Sequence, residues 1–156
     1  MAKINRSYLQ ILWIIPVLVL AGCMSAPKKA ELKGSITSTK GLNPDYKGRP
    51  SPVVLRIYQL RTTSAFEAAD FFSLYDKDKA VLGADLVSRE ETEVSPGKKR
   101  GYKVEIDPAT KYIGVIAAFR DYEKARWRSM VKLTDAKKIP IKIVVEDLSV
   151  KVSIAK

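Results

Sequence analysis

The sequence predicts a mainly β protein, a sandwich of two β-sheets with one short helical insertion. Three observations support this fold class. Several short runs between residues 31 and 156 alternate apolar with polar residues, as strands with one buried face do. Turn-forming Pro, Gly, Asn and Asp residues separate these runs, and helical spacing is confined to the region near 64–82. Seven or eight strands with one helical insertion are typical of a sandwich, here a domain spanning 31–156.

The first part of this domain predicts two strands joined by a long irregular loop. Alternation in the segment 31–39 predicts a strand with one face in water. Residues 53–61 are largely apolar on both alternating faces, which predicts a central strand. Between them, residues 40–52 hold two glycines and three prolines together with Asn43 and Asp45, so we expect a long, partly rigid loop.

Residues 62–86 change character and predict the helical insertion. Ser64 is expected to cap a helix, with Glu67 three residues later completing a capping box. Aromatic and alanine side chains follow near helical spacing. Asp76 and Asp78 alternate with lysines, and this polar stretch is expected to interrupt the helix.

The remaining strands are predicted from alternation between turn signals. They comprise a turn at 95–97, strands at 101–107 and 111–120, a strand near Trp127, and two strands within 138–156 that meet at Glu146 and Asp147. Near Trp127 we expect the indole to face inward and the flanking arginines to face outward.

Residues 1–22 have the layout of a bacterial export signal. Lys3 and Arg6 precede an apolar run of about 12 residues, which is shorter than the roughly 20 residues of a membrane-spanning helix. Small residues follow, and then Cys23, the one cysteine in the chain. A single cysteine excludes an intramolecular disulfide. Two interpretations stay open: an incidental cysteine beside a signal-peptidase site, and a lipid-attachment site.

The residues Leu20-Ala21-Gly22-Cys23 resemble the consensus of bacterial lipoproteins at all four positions. The resemblance implies that the Cys23 thiol takes a diacylglycerol, that cleavage precedes Cys23, and that the new amine is acylated. Each buried methylene would contribute about 0.8 kcal/mol of anchoring. Residues 23–30 would then form the lipidated end and a flexible tether. Met24 stands where an aspartate often retains a lipoprotein at the inner membrane, which favours the outer membrane, facing the periplasm.

Composition constrains the chemistry available to the chain. There is no histidine, and the chain contains 28 basic and 17 acidic residues, for a formal net charge of +11. Removing residues 1–22 removes two basic and no acidic residues, which leaves 26 against 17, or +9. A periplasmic location disfavours nucleic acid as the partner of this basic surface. Anionic lipid headgroups, an acidic protein surface and a merely solvated basic surface remain open.

No catalytic or metal-binding motif is present, which favours a binding role over an enzyme. The acidic residues are interpreted as solvated surface rather than a catalytic pair. They are Asp76, Asp78, Glu90, Glu91 and Glu93. A carboxylate hydrolase using Asp76 and Glu91 is the enzymatic alternative. We expect no metal, and no cofactor beyond the covalent lipid on Cys23.

The segment LNPDYKGRPSPVVLRIYQLRTTSAFEAADFFSLY, residues 42–75, resembles a known family. This is the TssJ (SciN-type) family, the outer-membrane lipoproteins of the type VI secretion system. The resemblance continues through a later LGADL segment, a Pro-Gly turn, and the residues Phe119-Arg120-Asp121 and Trp127-Arg128. It implies a transthyretin-like two-sheet β-sandwich with a small helical addition.

The resemblance also implies a partner. Members of this family bind the periplasmic C-terminal domain of TssM, an inner-membrane protein, and with TssL they form a complex that links the two membranes. The loop after the first strand contributes to the TssM contact. The residues expected to make that contact here are Asn43, Pro44, Asp45, Tyr46, Arg49 and Pro50. The alternative is a periplasmic lipoprotein that inhibits or chaperones another protein through a sandwich edge.

Overall fold

The computed structural model describes residues 30–155, which form two four-stranded sheets packed face to face. The strands are β1 (Ala30–Ser38), β2 (Val53–Leu60), β3 (Leu86–Val94), β4 (Lys99–Ile106), β5 (Tyr112–Ala117), β6 (Arg128–Lys132), β7 (Lys138–Glu146) and β8 (Ser149–Ile154). Two helices, α1 (Ser64–Ala68) and α2 (Phe71–Leu82), lie between β2 and β3, followed by a 3₁₀ turn at Gly83–Asp85. The predicted two-sheet sandwich with a short helical insertion is confirmed.

The first sheet has the strand order β4-β1-β7-β8 and the second has the order β3-β2-β5-β6. β1 and β7 run parallel, and the other neighbouring strands are antiparallel. β2 is an inner strand, as its apolar character predicted. The residues of the predicted signal peptide, the lipidation site Cys23 and the tether up to residue 29 lie outside the described residues.

The main core lies between the inner faces of the two sheets. β2 contributes Val53, Leu55 and Ile57 to it, each at most 3% exposed. The opposite face of β2 is also buried, because Tyr58 and Leu60 pack beneath the helices. Two buried faces explain why this strand is apolar at nearly every position. Fully burying one such aliphatic side chain contributes roughly 1.5–3 kcal/mol.

Gly114 of β5 lets α1 pack onto the second sheet. Phe66 of α1 is fully buried there, with its ring 5.6 Å from the Tyr58 ring in an edge-to-face arrangement. A Cβ atom at position 114 would lie 2.8 Å from Cζ of Phe66. Glycine is therefore required for this close approach of ring and strand.

The helical insertion differs from the prediction at its first cap. Helix α1 is capped by Thr63, not Ser64, and without a side-chain cap hydrogen bond; the Thr63 hydroxyl donates instead to the Glu67 carboxylate at 2.9 Å. The capping box was therefore wrong. Helix α2 is capped by Asp70, whose side chain accepts from the Ser73 amide at 2.9 Å, a cap that the sequence pattern did not single out.

Polar residues further along α2 also depart in part from the prediction. The expected interruption is a local departure from helical geometry at Lys77 inside α2. Asp78, predicted to be solvated surface, is 4% exposed. Its carboxylate accepts from Arg89 at 2.6 Å and from the Tyr58 hydroxyl at 3.3 Å. These long-range partners hold the buried Asp78 carboxylate in place under the helix. The burial of Tyr58, together with the nearby Asp78, raises the pKa of the Tyr58 hydroxyl.

One of the two arginines beside Trp127 differs from the prediction. Arg126 is exposed, but Arg128 turns back toward α1 and donates to the carbonyl oxygens of Phe66 and Ala69 at 2.9 and 2.8 Å. It therefore satisfies carbonyl groups at the carboxyl end of α1, where a cation is favourable. Trp127 itself packs against both the main core and the apolar residues beneath the helices.

Among residues 30–155, no helix is both long enough and apolar enough to cross a membrane.

Candidate functional site

The loop that joins β1 to β2, residues 39–52, lies at the end of the sandwich opposite Ala30. We call it the docking loop. Three other connections share this end: 95–98 between β3 and β4, 118–127 between β5 and β6, and the tight turn between β7 and β8. The loop is thus surrounded by backbone from both sheets.

The base of the docking loop is fixed against the β7–β8 turn. Leu42 is fully buried in the main core, and the Asn43 amide donates to the Asp147 carbonyl at 2.8 Å. The Thr39 hydroxyl donates to the Asp147 carboxylate at 2.7 Å. Gly41 faces the same carboxylate, and a Cβ there would lie 2.7 Å from its oxygens. The loop therefore starts from a defined, tightly packed position.

Asn43 organises the middle of the loop. Its side-chain amide donates to Ser51 Oγ at 3.0 Å and to the Pro52 carbonyl at 2.8 Å, while its Oδ1 accepts from the Arg120 amide at 2.8 Å. Its φ of 49° lies in the left-handed region, which asparagine tolerates better than most residues. The side chain is 3% exposed and holds the loop together, and direct contact of Asn43 with a partner stays a prediction.

Asp45 closes the tip of the loop into a compact turn. One carboxylate oxygen accepts from the amides of Lys47 and Arg49 at 2.8 and 3.0 Å, and the other pairs with the Arg49 guanidinium at 2.7 Å. The Gly48 amide donates to the Asp45 carbonyl, and Gly48 has a φ of 75°. The hydrogen bonds from Arg49 hold the pKa of Asp45 below its ordinary value. Much of Asp45 is therefore used inside the loop.

The tip presents an aromatic ring to solvent. Tyr46 is 89% exposed, with the Lys47 ammonium 5.4 Å from its ring centre. Arg49 and Pro50 are exposed beside it, and Pro44 is half-buried. An exposed aromatic beside an arginine is the composition typical of interaction hot spots. Of the six residues predicted to contact a partner, Tyr46, Arg49 and Pro50 are the most accessible.

A shallow cleft of about 480 Å³ separates the tip from the β5–β6 connection. Pro44 and Tyr46 line one wall, and Arg120 and Lys124 belong to the other. Arg120 also donates from Nε to Ser51 Oγ at 3.1 Å, which ties the two walls together. The prediction did not assign Arg120 to the site, although the Phe119-Arg120-Asp121 motif had marked this segment.

Comparison with known families identifies this chain. The model of the type VI secretion lipoprotein family, described by the names VasD, EvfM and TssJ, matches residues 30–148. The chain belongs to this family. The match covers β1 through the β7–β8 turn and therefore includes the whole docking loop.

Solved structures agree with this assignment. The T6SS lipoprotein TssJ1 from Pseudomonas aeruginosa is 28% identical with a TM-score of 0.78, covering 82% of this chain and 98% of that one. A chain in a structure described as a type VI membrane complex is 27% identical with a TM-score of 0.71, covering 82% and 99%. No match was found among curated proteins.

The lipoprotein Lip from Serratia marcescens, a membrane-bound component of the type VI secretion system, shares the fold. It is 23% identical with a TM-score of 0.74, covering 81% of this chain and 98% of that one. Residues 30–155 of this type VI secretion lipoprotein enclose their own hydrophobic core between two sheets, so this domain is expected to fold without residues 1–22.

Proposed function

We propose that this type VI secretion lipoprotein is a non-enzymatic adaptor, anchored by lipid on Cys23 to the outer membrane and facing the periplasm. The tip of its docking loop binds the periplasmic C-terminal domain of TssM, within a complex that also contains TssL. The observation that carries the proposal is the rigid loop, which presents Tyr46 at the end of the sandwich opposite Ala30.

The polarity of β1 supports a bridging role. The strand runs from Ala30, next to the predicted tether, to Ser38, where the docking loop begins. Its 9 residues span about 30 Å at the usual strand rise. An anchor at one end and a binding loop at the other are the arrangement that a link between two membranes needs.

The internal bonding of the loop supports a docking role. Asn43 and Asp45 already hold the loop in one shape, so binding orders few additional residues. A preorganised loop loses less conformational entropy on binding than a flexible one. Exposed Tyr46 and Arg49 are residue types that often dominate binding energy.

The comparisons point to the partner. A chain in a structure described as the TssM C-terminal domain from EAEC is 26% identical to this one, with a TM-score of 0.63, covering 81% of this chain and 98% of that one. A chain in the type VI membrane complex structure has the same fold. These matches support TssM as the partner of this chain.

Several features favour a binding protein over an enzyme. Within residues 30–155, no three His, Cys, Asp or Glu side chains cluster to hold a metal. Glu91, one of the two acids named for a hydrolase, pairs with Arg56 at 2.6 Å, and Asp78 of the same acidic set pairs with Arg89 at 2.6 Å. The family is described as a secretion lipoprotein.

The test is isothermal titration calorimetry between residues 24–156 and the TssM periplasmic domain. We expect binding that Tyr46→Ala weakens by at least 30-fold, since hot-spot residues contribute 2 kcal/mol or more. Phe72 is the matched control, an aromatic that is 52% exposed on α2, and Phe72→Ala is expected to bind normally. Absence of binding by the native domain would refute the proposal, and a pull-down returning a hydrolase or unfolded proteins would support the inhibitor or chaperone role.

The anchor is tested separately in cells. Cys23→Ser is expected to abolish outer-membrane fractionation of the protein while leaving the sandwich folded. A Cys23→Ser protein that stays in the outer membrane and still supports secretion would refute lipid anchoring.

A further inference from the structure

The outer face of the first sheet carries a band of lysines. The register of β4, β1, β7 and β8 places outward-facing residues in rows across the sheet. Five lysines fall in three successive rows, and all five are exposed: Lys33, Lys99, Lys103, Lys142 and Lys151. We call these five residues the lysine face.

The other positions in these three rows carry no charge. They are Ser35, Thr37, Gly101, Pro140, Val144 and Ser153. The carboxylates of this sheet face lie outside the band, with Glu31 and Glu105 toward the Ala30 end and Glu146 toward the docking loop. From the Ala30 end, Glu31 reaches into the band and pairs with Lys103 at 2.9 Å.

This clustering of like charges lowers the stability of the fold by itself. Lys33 and Lys103 stand directly opposite each other on the antiparallel pair β1–β4, where like charges destabilise the sheet. Lysines often protect open sheet edges from pairing with other chains. Lys33 and Lys142 lie on β1 and β7, which are inner strands, so edge protection does not explain them.

We propose that the lysine face binds the anionic headgroup surface of a phospholipid bilayer. Lysine is a compact charge on a flexible stem and suits a diffuse anionic surface, with each residue near the surface contributing about 1 kcal/mol. Protein interfaces are instead enriched in arginine and aromatic residues and depleted in lysine, and these rows contain neither arginine nor an aromatic residue.

The position of the face favours a membrane over an acidic protein. The face begins within two rows of Ala30, where the predicted tether enters β1. Residues 24–29 reach at most about 20 Å when fully extended, which would keep the anchored domain beside the bilayer. The inference rests on the anchoring part of the proposed function only to identify which bilayer the domain contacts. The electrostatic attraction between the lysine face and anionic headgroups needs no anchor.

Contact through the lysine face would leave the other surfaces free. The helices cover the outer face of the second sheet and therefore point away from the bilayer. The docking loop lies at one end of both sheets and stays accessible from the side. The domain could then hold a defined orientation at the membrane while Tyr46 engages a partner.

The test is co-sedimentation of residues 24–156, without lipid, with vesicles of phosphatidylglycerol and phosphatidylethanolamine. The native domain is expected to bind these vesicles and not vesicles of phosphatidylcholine. Replacing Lys33, Lys142 and Lys151 together by glutamine is expected to weaken binding about 100-fold, at about fivefold per lysine. Molar salt is expected to abolish binding, because the screening length falls to about 3 Å.

The matched control removes the same charge from the opposite side of the domain. Lys77, Lys79 and Lys132 are exposed on or beside the helix-covered sheet, and their replacement by glutamine is expected to change binding less than threefold. Arginine at the three positions of the lysine face is expected to restore binding. Melting followed by circular dichroism checks that each variant is folded.

Three results would overturn the inference. They are equal losses in the two glutamine triples, equal binding to neutral and anionic vesicles, and no vesicle binding by the native domain. TssM binding of the lysine-face glutamine triple is measured in parallel by calorimetry and is expected to be intact. Vesicle binding without TssM binding would therefore refute only the adaptor proposal, and the reverse would refute only the membrane contact.

Discussion

Replacing Asn43 by alanine tests whether the docking loop is held by its buried amide. The substitution removes three hydrogen bonds, two donated by Nδ2 to Ser51 and Pro52 and one accepted by Oδ1 from the Arg120 amide. It also places alanine at a φ of 49°, in the left-handed region. Because the site is buried, solvent does not readily replace the lost partners.

The expected loss of unfolding free energy is about 3–5 kcal/mol. Net hydrogen bonds contribute about 1 kcal/mol each, and a buried donor or acceptor left without a partner costs about 1–3 kcal/mol. The left-handed backbone adds roughly 1 kcal/mol for alanine. A loss of this size is a large part of the 5–15 kcal/mol that typically stabilises a domain. It corresponds to a fall in melting temperature of about 10 °C or more.

Urea unfolding of the domain from residue 24 measures this loss. Asn43→Gly separates the two contributions, since glycine accepts the backbone conformation without strain but makes none of the hydrogen bonds. It should be destabilised by about 1 kcal/mol less than Asn43→Ala. A loss below 1 kcal/mol in Asn43→Ala, or equal losses in both variants, would refute the reasoning.

Three further predictions concern the loop tip and the helix–sheet contact. Tyr46→Ala is expected to change unfolding free energy by less than about 0.5 kcal/mol in urea, because an exposed ring adds little to the fold; a larger loss would mean that the tip is structural. Gly114→Ala is expected to destabilise by about 1–3 kcal/mol through its clash with Phe66, and Phe66→Leu in the same chain should recover part of that loss, whereas additive losses would contradict the clash. Because the pKa of Asp45 is lowered, its contribution to stability is complete above the ordinary carboxyl pKa and is lost as pH falls through the pKa of the folded state. Carboxyl NMR should show that Arg49→Gln moves this pKa upward. An unchanged titration of Asp45 would exclude Arg49 as the cause.

Local patterns predicted the strands well where apolar residues mark which faces of a strand are buried. β2 was assigned to the middle of a sheet because both its faces are apolar, and the structure buries one face between the sheets and the other under the helices. β3, Leu86–Val94, was not named as a strand, since its run of Arg89 and several glutamates hides the pattern. Charged residues are allowed there because β3 is an edge strand whose middle is exposed.

Long-range polar contacts could not be read from the sequence. Asp78 looked solvated because its chain neighbours are lysines, yet its partners Arg89 and Tyr58 are 11 and 20 positions away. Asn43 was predicted to lie in a turn, which its residue type suggests. Its burial depends on the Arg120 amide, 77 positions away, and that neighbour is supplied only by the fold.

The docking loop makes its hydrogen bonds at the end of the sandwich. They run to the β3–β4 connection at Gly97, to the β5–β6 connection at Arg120, and to the β7–β8 turn at Asp147. The helices are anchored further away, by Phe66 against Gly114. They also reach the β5–β6 connection, because the Phe71 ring of α2 stacks on the Tyr122 ring at 5.3 Å. A change at Phe66 should therefore lower stability more than it moves the loop tip, whereas a change at Phe71 should also affect the connection that carries Arg120.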